Sequence, residues 1–531
     1  MAKHRRNRTK GFGIQPIPPR LLNAKPADFS VEHRLDGPTN TSGIHPGRQR
    51  KSKGPTPDYS IAQEIQKIVA CDAFWTLAKS LDSNETHHSR SGRPRKCGSA
   101  DVLIFVVAIS ALGSARAVHR FFRDPVQWKL ICDTAVTAYP DDPTRRLSPK
   151  GITRYQFDRY RRKHVEFEHA IREFQTQTEK SMAEIARDTE MFDSSQGSWT
   201  EPATQNIVVS DATWIASPYN SSSPTYTDPK TGEIIPVRYD PDATPYRDNT
   251  QANGNMLVSV IARNSHPNER LILSLDYKPH TNMSDATLAV DMTLRIFPLI
   301  PEIQGFVYDM ALYANDYDRL LSAGILPISK VQRTRTGKVA MFNLNEHEFT
   351  LTNGTKKNIV VHAVDGTPRI ELLIGDEIQS VGLIRIRTSR SKNRTGTYRI
   401  YGTWQIPDFA GISPKLRNAT TQIRHNSTDT EIANNTPRTR ALRVIPETDK
   451  SFDRYYGLRE DTESMHHHLK TTMTNRRARS VGRHRQLFEF IGYQIALATK
   501  TLLAWHHRTG SDISRWFGQW KPPNHAAKNA A

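Results

Sequence analysis

Apolar residues recur along this chain in two rhythms, and the change from one to the other divides it. Between residues 58 and 81, Ile61, Ile65, Ile68, Cys71 and Trp75 fall at helical spacing. Residues 100–112 are apolar almost throughout, which predicts a buried helix. Gly113 and Ser114 follow, Gly suited to ending one helix and Ser to capping the next. Residues 115–123 then set Val118, Phe121 and Phe122 beside Arg116, His119, Arg120 and Arg123. Helix, glycine turn and basic amphipathic helix fit either a helix-turn-helix or an ordinary helical hairpin. Residues 151–190 again read as helical, with a basic cluster at Arg159, Arg161, Arg162 and Lys163.

Near residue 205 the rhythm shortens. Residues 206–210 predict a short buried strand that ends at Asp211, and 215–254 a polar loop with a hairpin around Lys230-Thr231-Gly232. Antiparallel strands are expected at 256–262 and 270–275, a helix at 286–296, and a strand at 305–308 closed by Asp309. A helix at 313–322 and a strand at 324–329 complete the series. Three strands, helix, strand, helix, strand is the order of a ribonuclease-H-like core, a mixed sheet with helices against it. From 338 to 408 the pattern is almost entirely β, and 409–445 is polar and turn-rich. A helix begins near Phe452, and a last amphipathic helix is expected at 486–505 with Leu487, Phe490, Ile491, Ile495, Ala498 and Leu502 on one side.

The expected fold class is therefore α/β: a ribonuclease-H-like catalytic core interrupted by a β-rich insertion and preceded by a helical N-terminal domain. Its parts are a basic disordered arm (1–57), a helical DNA-binding domain (58–190), the first part of the core (205–335) and the insertion (336–445). The second part of the core (446–507) and a partly disordered tail (508–531) follow.

Composition sharpens the partner more than the fold. A formal charge of +20 and a pI near 9.8 favour a polyanion, and nucleic acid is the commonest one. The arm at 1–57 is rich in Arg, Lys, Pro and Gly, and is either a solubilising tail or a DNA-contacting one. The three cysteines are widely spaced, with neither a CxxC pair nor a disulfide framework, so a cytoplasmic protein without structural zinc is expected. No apolar signal region follows the basic start, and the longest apolar run is too short to span a bilayer.

The candidate chemistry lies in Tyr456, Arg459, Glu463 and Lys470. On one helix their offsets bring all four side chains within roughly 60° of one another, over about 20 Å of axis. Charges at such spacing are usually a solvated face of i,i+4 pairs. Partner carboxylates decide otherwise. Asp211 and Asp309 each follow an apolar strand, and in a ribonuclease-H-like sheet the first and fourth strands are adjacent, so the two aspartates would meet. Asp193 and Asp276 are rivals, the first with no strand before it and the second at the end of the third strand. A later helix can deliver Glu463. Three oxygen donors of this kind suit two hard divalent ions, Mg²⁺ or Mn²⁺, which activate the attacking oxygen and stabilise the leaving one at a phosphodiester.

With these residues in view the chain resembles the DDE transposases of bacterial insertion sequences, in the Tyr-Arg-Glu-Lys signature group. The likeness runs from Ile207 to about Trp505 and matches the signature at every spacing. Asp211-Ala212-Thr213 is similar to the family's first motif, and Asn282-Met283-Ser284-Asp285 to a polar turn before its first core helix. After Asp309 the chain reads Met310-Ala311-Leu312-Tyr313 where the family often has a Gly-Tyr pair. The resemblance implies that Asp211, Asp309 and Glu463 hold the catalytic metals, and that Tyr456, Arg459 and Lys470 grip backbone phosphates near the cleaved end. It also accounts for the 154 positions between Asp309 and Glu463, since members carry a β-rich insertion there. The implied partners are double-stranded DNA, as terminal inverted repeats and as target, with a homodimer on the DNA in a nucleoid-associated setting.

Other residues divide between plain and functional readings. His466, His467 and His468 face different sides of a helix and cannot easily share one ion. Arg476, Arg477, Arg479, Arg483 and Arg485 form either a solvated helix end or, beside the site, phosphate contacts, Arg476 and Arg477 first. Trp404 is either a packed core residue or a platform for a flipped base. The function expected is cut-and-paste transposition by two-metal-ion strand cleavage and transfer. The alternatives are a catalytically silent DNA-binding protein derived from such an element, or a nuclease without strand transfer.

Overall fold

A computed structural model describes residues 61–522 and the short strand Ile14–Gln15. Short segments at 84–96, 222, 246–252, 265, 267–268, 280–282, 334–338, 375–376 and 409–411 fall outside the description. Nearly all of the basic arm therefore lies outside the described residues. The protein is a mixed α/β structure with helices and several sheets.

The first described part is helical: α1 (Ile61–Ala70), α2 (Asp72–Ser83), α3 (Ser99–Leu112), α4 (Ala115–Arg123), α5 (Pro125–Ala138), α6 (Arg154–His164) and α7 (Glu168–Asp188). The periodic run at 58–81 is two helices, because the chain turns at Cys71, whose amide donates to Ile68 O at 3.0 Å. Gly113 ends α3 in the left-handed region at φ 77°, and Ser114 accepts the Ala117 amide to start α4. The two helices meet at a bend of 113°. Among the described residues no single helix is long and apolar enough to cross a membrane. Helix α5 has no counterpart in the sequence reading, although Trp128, Ile131, Ala135 and Ala138 sit at helical spacing on its buried face. Asp124 caps it and Pro125 occupies its first position, where a missing amide costs nothing.

The central sheet contains β1 (Ile207–Ala216), β2 (Asn253–Arg263), β3 (Arg270–Tyr277), β4 (Gly305–Val307) and β5 (Leu326–Ile328) in the spatial order β3-β2-β1-β4-β5. The first three strands are antiparallel, whereas β4 and β5 run parallel to β1. Alternate residues of β2 face opposite cores: Val258, Val260 and Ala262 join one, Leu257 and Ile261 the other. Burial on both faces explains why these strands read as unbroken apolar runs. Helices α8 (Asp285–Ile296) and α9 (Ala314–Ala323) contribute to the first core, and the N-terminal helices share the second with the sheet.

A second, antiparallel sheet follows: β6 (Val339–Thr350), β7 (Lys356–Val364), β8 (Thr367–Ile374), β9 (Glu377–Gly382), β10 (Ile384–Lys392), β11 (Tyr398–Gln405) and β12 (Thr420–Arg424). Its order is β9-β8-β7-β6-β12-β11-β10, with Ile14–Gln15 paired to β6. Strand β12 lies in the stretch read as polar and turn-rich. This sheet has its own core around Phe349, Val361, Ile370, Trp404 and Ile423. Trp404 is 1% exposed, the place of a packed core residue and out of reach of a base.

The chain returns to the first sheet through α10 (Phe452–Tyr456), α11 (Glu460–Thr471) and α12 (Arg483–Thr509). Helix α12 lies between α3 and β3 and fastens the helical layer to the sheet. The tail is described as far as residue 522. Helix α13 (Ser514–Phe517) buries Trp516 and Phe517, and Tyr139 Oη donates to Trp516 O at 3.2 Å. Residues 523–531 lie outside the described part.

Candidate active site

Parallel register sets the first two carboxylates together. Strands β1 and β4 pair from Ile207 opposite Gly305 to Val209 opposite Val307. The pairing stops there, and Asp309 follows two residues on, near enough to Asp211 for the two charges to interact. Asp211 lies within β1 and not after it, opposite Ser259 of β2, because backbone pairing continues past the point where the apolar run stops. Its Oδ1 accepts the Ala212 amide at 2.9 Å. Asp309 lies two residues past β4, and its Oδ1 accepts the Ala311 amide at 2.7 Å.

The segment with the quartet is not one straight α-helix. Between α10 and α11, residues Gly457–Arg459 form a 3-10 turn, although backbone angles stay in the helical region throughout. The tighter turn eclipses side chains three apart, which carries Arg459 round toward Tyr456. Arg459 then bridges the carboxylates: Nη2 is 3.3 Å from Asp211 Oδ2 and Nη1 is 3.1 Å from Glu463 Oε1. Tyr456 stacks on Phe452 with ring centres 5.0 Å apart, and Lys330 Nζ lies 5.2 Å from the centre of its ring. Lys470 is half-buried two turns beyond Glu463, close enough to Asp211 for their charges to interact.

Residues that sequence reasoning passed over hold this helix in place. Asp461, almost fully buried, pairs with Arg263 and Arg270 at 2.8 Å each, on β2 and β3. His466 Nε2 meets Ser259 Oγ at 2.9 Å on the same side. Asp461 and His466 are five apart, about 140° round the helix, and both are buried where Glu463 is exposed. Those histidines diverge, with His467 exposed and His468 Nδ1 at 2.6 Å from Tyr493 Oη.

Past the helix, Arg477 Nη1 donates to Ser217 O at 2.9 Å and ties this loop to the end of β1. Arg476 is exposed beside it. The rival carboxylates serve other ends. Asp193 accepts the Ser195 amide in a tight turn, and Asp276 forms an ion pair with Arg172.

Burial pushes the Asp211 carboxyl up to about 6. Arg459 and the Ala212 amide pull against that shift, and the charges of Asp309 and Glu463 add to it. Burial likewise raises Asp309, with the Ala311 amide and Arg459 opposing. Burial works against the charge of Arg459, but Asp211 and Glu463 more than offset it and hold the guanidinium above its ordinary value. Among the described residues no group of three or more His, Cys, Asp or Glu side chains is placed to hold a metal ion. Asp211, Asp309 and Glu463 are hard oxygen donors in kind, one within β1, one just past β4 and one on a helix, and the Arg459 guanidinium stands between Asp211 and Glu463.

The chain matches no protein-family profile and no curated protein. Among solved structures it is similar to a piggyBac transposase synaptic complex with hairpin DNA, over 86% of this chain and 78% of that one, at 9% identity and a TM-score of 0.30. A likeness at that level carries no functional argument.

Proposed function

We propose that this protein is a DNA transposase, an enzyme that cleaves the ends of a mobile element and transfers the freed 3′-hydroxyl into target DNA. The nearness of Asp211 and Asp309 on neighbouring strands β1 and β4, with Glu463 linked to Asp211 through Arg459, supports this most. The order β3-β2-β1-β4-β5 agrees with a ribonuclease-H-like core, and the second sheet stands between β5 and the helix of Glu463. A silent DNA-binding descendant would have no use for three carboxylates gathered in this way.

Asp211, Asp309 and Glu463 would hold two Mg²⁺ or Mn²⁺ ions, which when bound supply an activated attacking oxygen and a stabilised leaving one. The chain's own residues position the DNA. Tyr456, Arg459 and Lys470 grip phosphates flanking the scissile bond, and Arg476 extends that contact outward. Water attacks phosphorus, the bond to the 3′ oxygen breaks, and the strand leaves as a 3′-hydroxyl. That hydroxyl attacks a target phosphodiester in the same geometry, forming one P–O bond and breaking another. A homodimer on paired inverted repeats would bring two ends together.

The test supplies purified protein with Mg²⁺ or Mn²⁺ and DNA carrying the inverted repeats that flank its gene. Cleavage and joining that vanish in Asp211→Ala, Asp309→Ala and Glu463→Ala are the expected result. DNA binding with no metal-dependent cleavage would replace this reading with the silent descendant.

A further inference from the structure

A cleft of about 690 Å³ opens between the start of α4, the inner face of α6 and the start of α12. Six arginines line it (Arg116, Arg154, Arg161, Arg162, Arg479 and Arg485) against two carboxylates. The inner ones belong to the framework. Arg161, 7% exposed, pairs with Asp158 and Glu166 at 2.9 Å each. Arg479 donates to Gly113 O at 3.0 Å and also reaches Thr472 O, so it locks the α3–α4 turn to the residue that ends the signature helix. The outer ones are differently placed. Arg116 and Arg162 are exposed, Arg162 Nε donating to Asp158 O at 3.2 Å, Arg154 lies 3.5 Å from Asp158, and Arg485 pairs with Glu166 at 2.8 Å. Ser114 and the amino end of α4 open onto the same space, adding helix-dipole charge of the same sign.

An arginine-lined hollow with this surplus of cations needs an anion of matching size and repeat. The guanidinium fork fits phosphate oxygens, and a chain of charge +20 meets such groups most often in nucleic acid. Continuity with the candidate active site selects DNA. The segment that leaves Lys470 carries exposed Arg476 and, within ten residues of it, Arg479 and Arg485 of the cleft wall, so the chain leads directly from the signature helix to the cleft.

We propose that this cleft is a second DNA-backbone site, one that holds phosphates of the duplex leading to the reacting strand. It rests on the DNA-processing reading but not on the chemistry of cleavage. Arg116, Arg154 and Arg162 make the contacts, and Arg161 and Arg479 keep the walls in position. The site positions DNA without reading its sequence.

The test titrates full-length protein into a labelled DNA duplex of arbitrary sequence, without divalent metal, from ~50 to ~200 mM salt. Removing both outer cations in Arg116→Ala/Arg162→Ala should reduce the slope of log K against log salt by about 2, one for each phosphate no longer neutralised. Arg116→Lys/Arg162→Lys should restore most of that slope. Arg394→Ala/Arg399→Ala, the same loss of charge at exposed positions of the second sheet, should leave it unchanged. An unchanged slope in the first variant, or an equal fall in the control pair, overturns the proposal. If the slope changes as expected and no metal-dependent cleavage is found, the cleft stands and the transposase reading fails.

Discussion

Arg459 makes the candidate site assailable by an unusual route. Its guanidinium lies between Asp211 and Glu463 at 3.3 and 3.1 Å, where it neutralises charge that a divalent cation would otherwise meet. Any metal must compete with it, so Arg459→Met should bind metal more tightly than wild type in the absence of DNA. The magnitude follows from exposure. The Glu463 side chain is 60% exposed, so that arm is worth only a few tenths of a kcal/mol. The Asp211 side chain is 13% exposed, and its arm, net of desolvation, is worth about 1–2 kcal/mol. Together they correspond to affinity about 10–50-fold tighter. Arg459 also holds Asp211 below where burial alone would leave it, so both proteins are compared near pH 8, with the carboxyl ionised in each. Free Mn²⁺ measured by electron paramagnetic resonance during titration gives the affinity, with Asp211→Asn as the control that loses it. Equal or weaker binding in Arg459→Met would refute the competition. The same variant should bind DNA less well, because the guanidinium is also expected to grip a phosphate.

Three further outcomes follow from the geometry. Burial, aided by the nearby Lys470 and Arg459 charges, holds His466 down to about 3, below its ordinary 6.5. The unfolded chain therefore binds the extra proton in that window, and stability falls as pH drops below 6.5, by up to ~1.4 kcal/mol per unit. In denaturant melts the stability gap between wild type and His466→Gln should narrow from about pH 7 to about pH 5, and a constant gap would contradict this. Asp276→Asn should leave Mn²⁺ binding unchanged yet cost about 1 kcal/mol by removing a buried charge from its pair with Arg172, which keeps Glu168; loss of metal binding would return Asp276 to the site. Trp404→Phe should lower the melting temperature, at a cost of ~1–2 kcal/mol, while cleavage persists, because its Nε1 makes no hydrogen bond and only volume is lost. Cleavage that fails in a fully stable Trp404→Phe would point to base stacking instead.

The strands of the central sheet were legible because both of their faces are buried, so each appears as an unbroken apolar run. The same logic misplaced the end of β1. Asp211 and Thr213 interrupt the run while the backbone goes on pairing with Val258 and its neighbours, and hydrogen bonding leaves no trace in polarity. The 3-10 turn at Gly457–Arg459 was likewise hidden, since its backbone angles barely differ from those of an α-helix. Strand β12 escaped because polar residues flank it, and its pairing with β11 supplies an order that composition does not show. Helix α5 is the one element whose apolar spacing was present in the sequence and not used.

Local pattern, set by which residues must leave water, was enough to nominate Asp211, Asp309, Glu463 and the quartet, and to indicate a polyanionic partner from charge alone. Tertiary structure decided what no window of sequence contains. The pairing of β1 with β4 brings two aspartates from distant segments near each other, and Asp461 and His466 fasten the helix that carries Glu463. The bridge through Arg459, the pairing of Asp276 with Arg172 and the arginine cleft at α4, α6 and α12 all depend on contacts between remote segments. Such contacts arise only when packing closes the loops between them, and their energies reside in pairs that sequence proximity does not reveal.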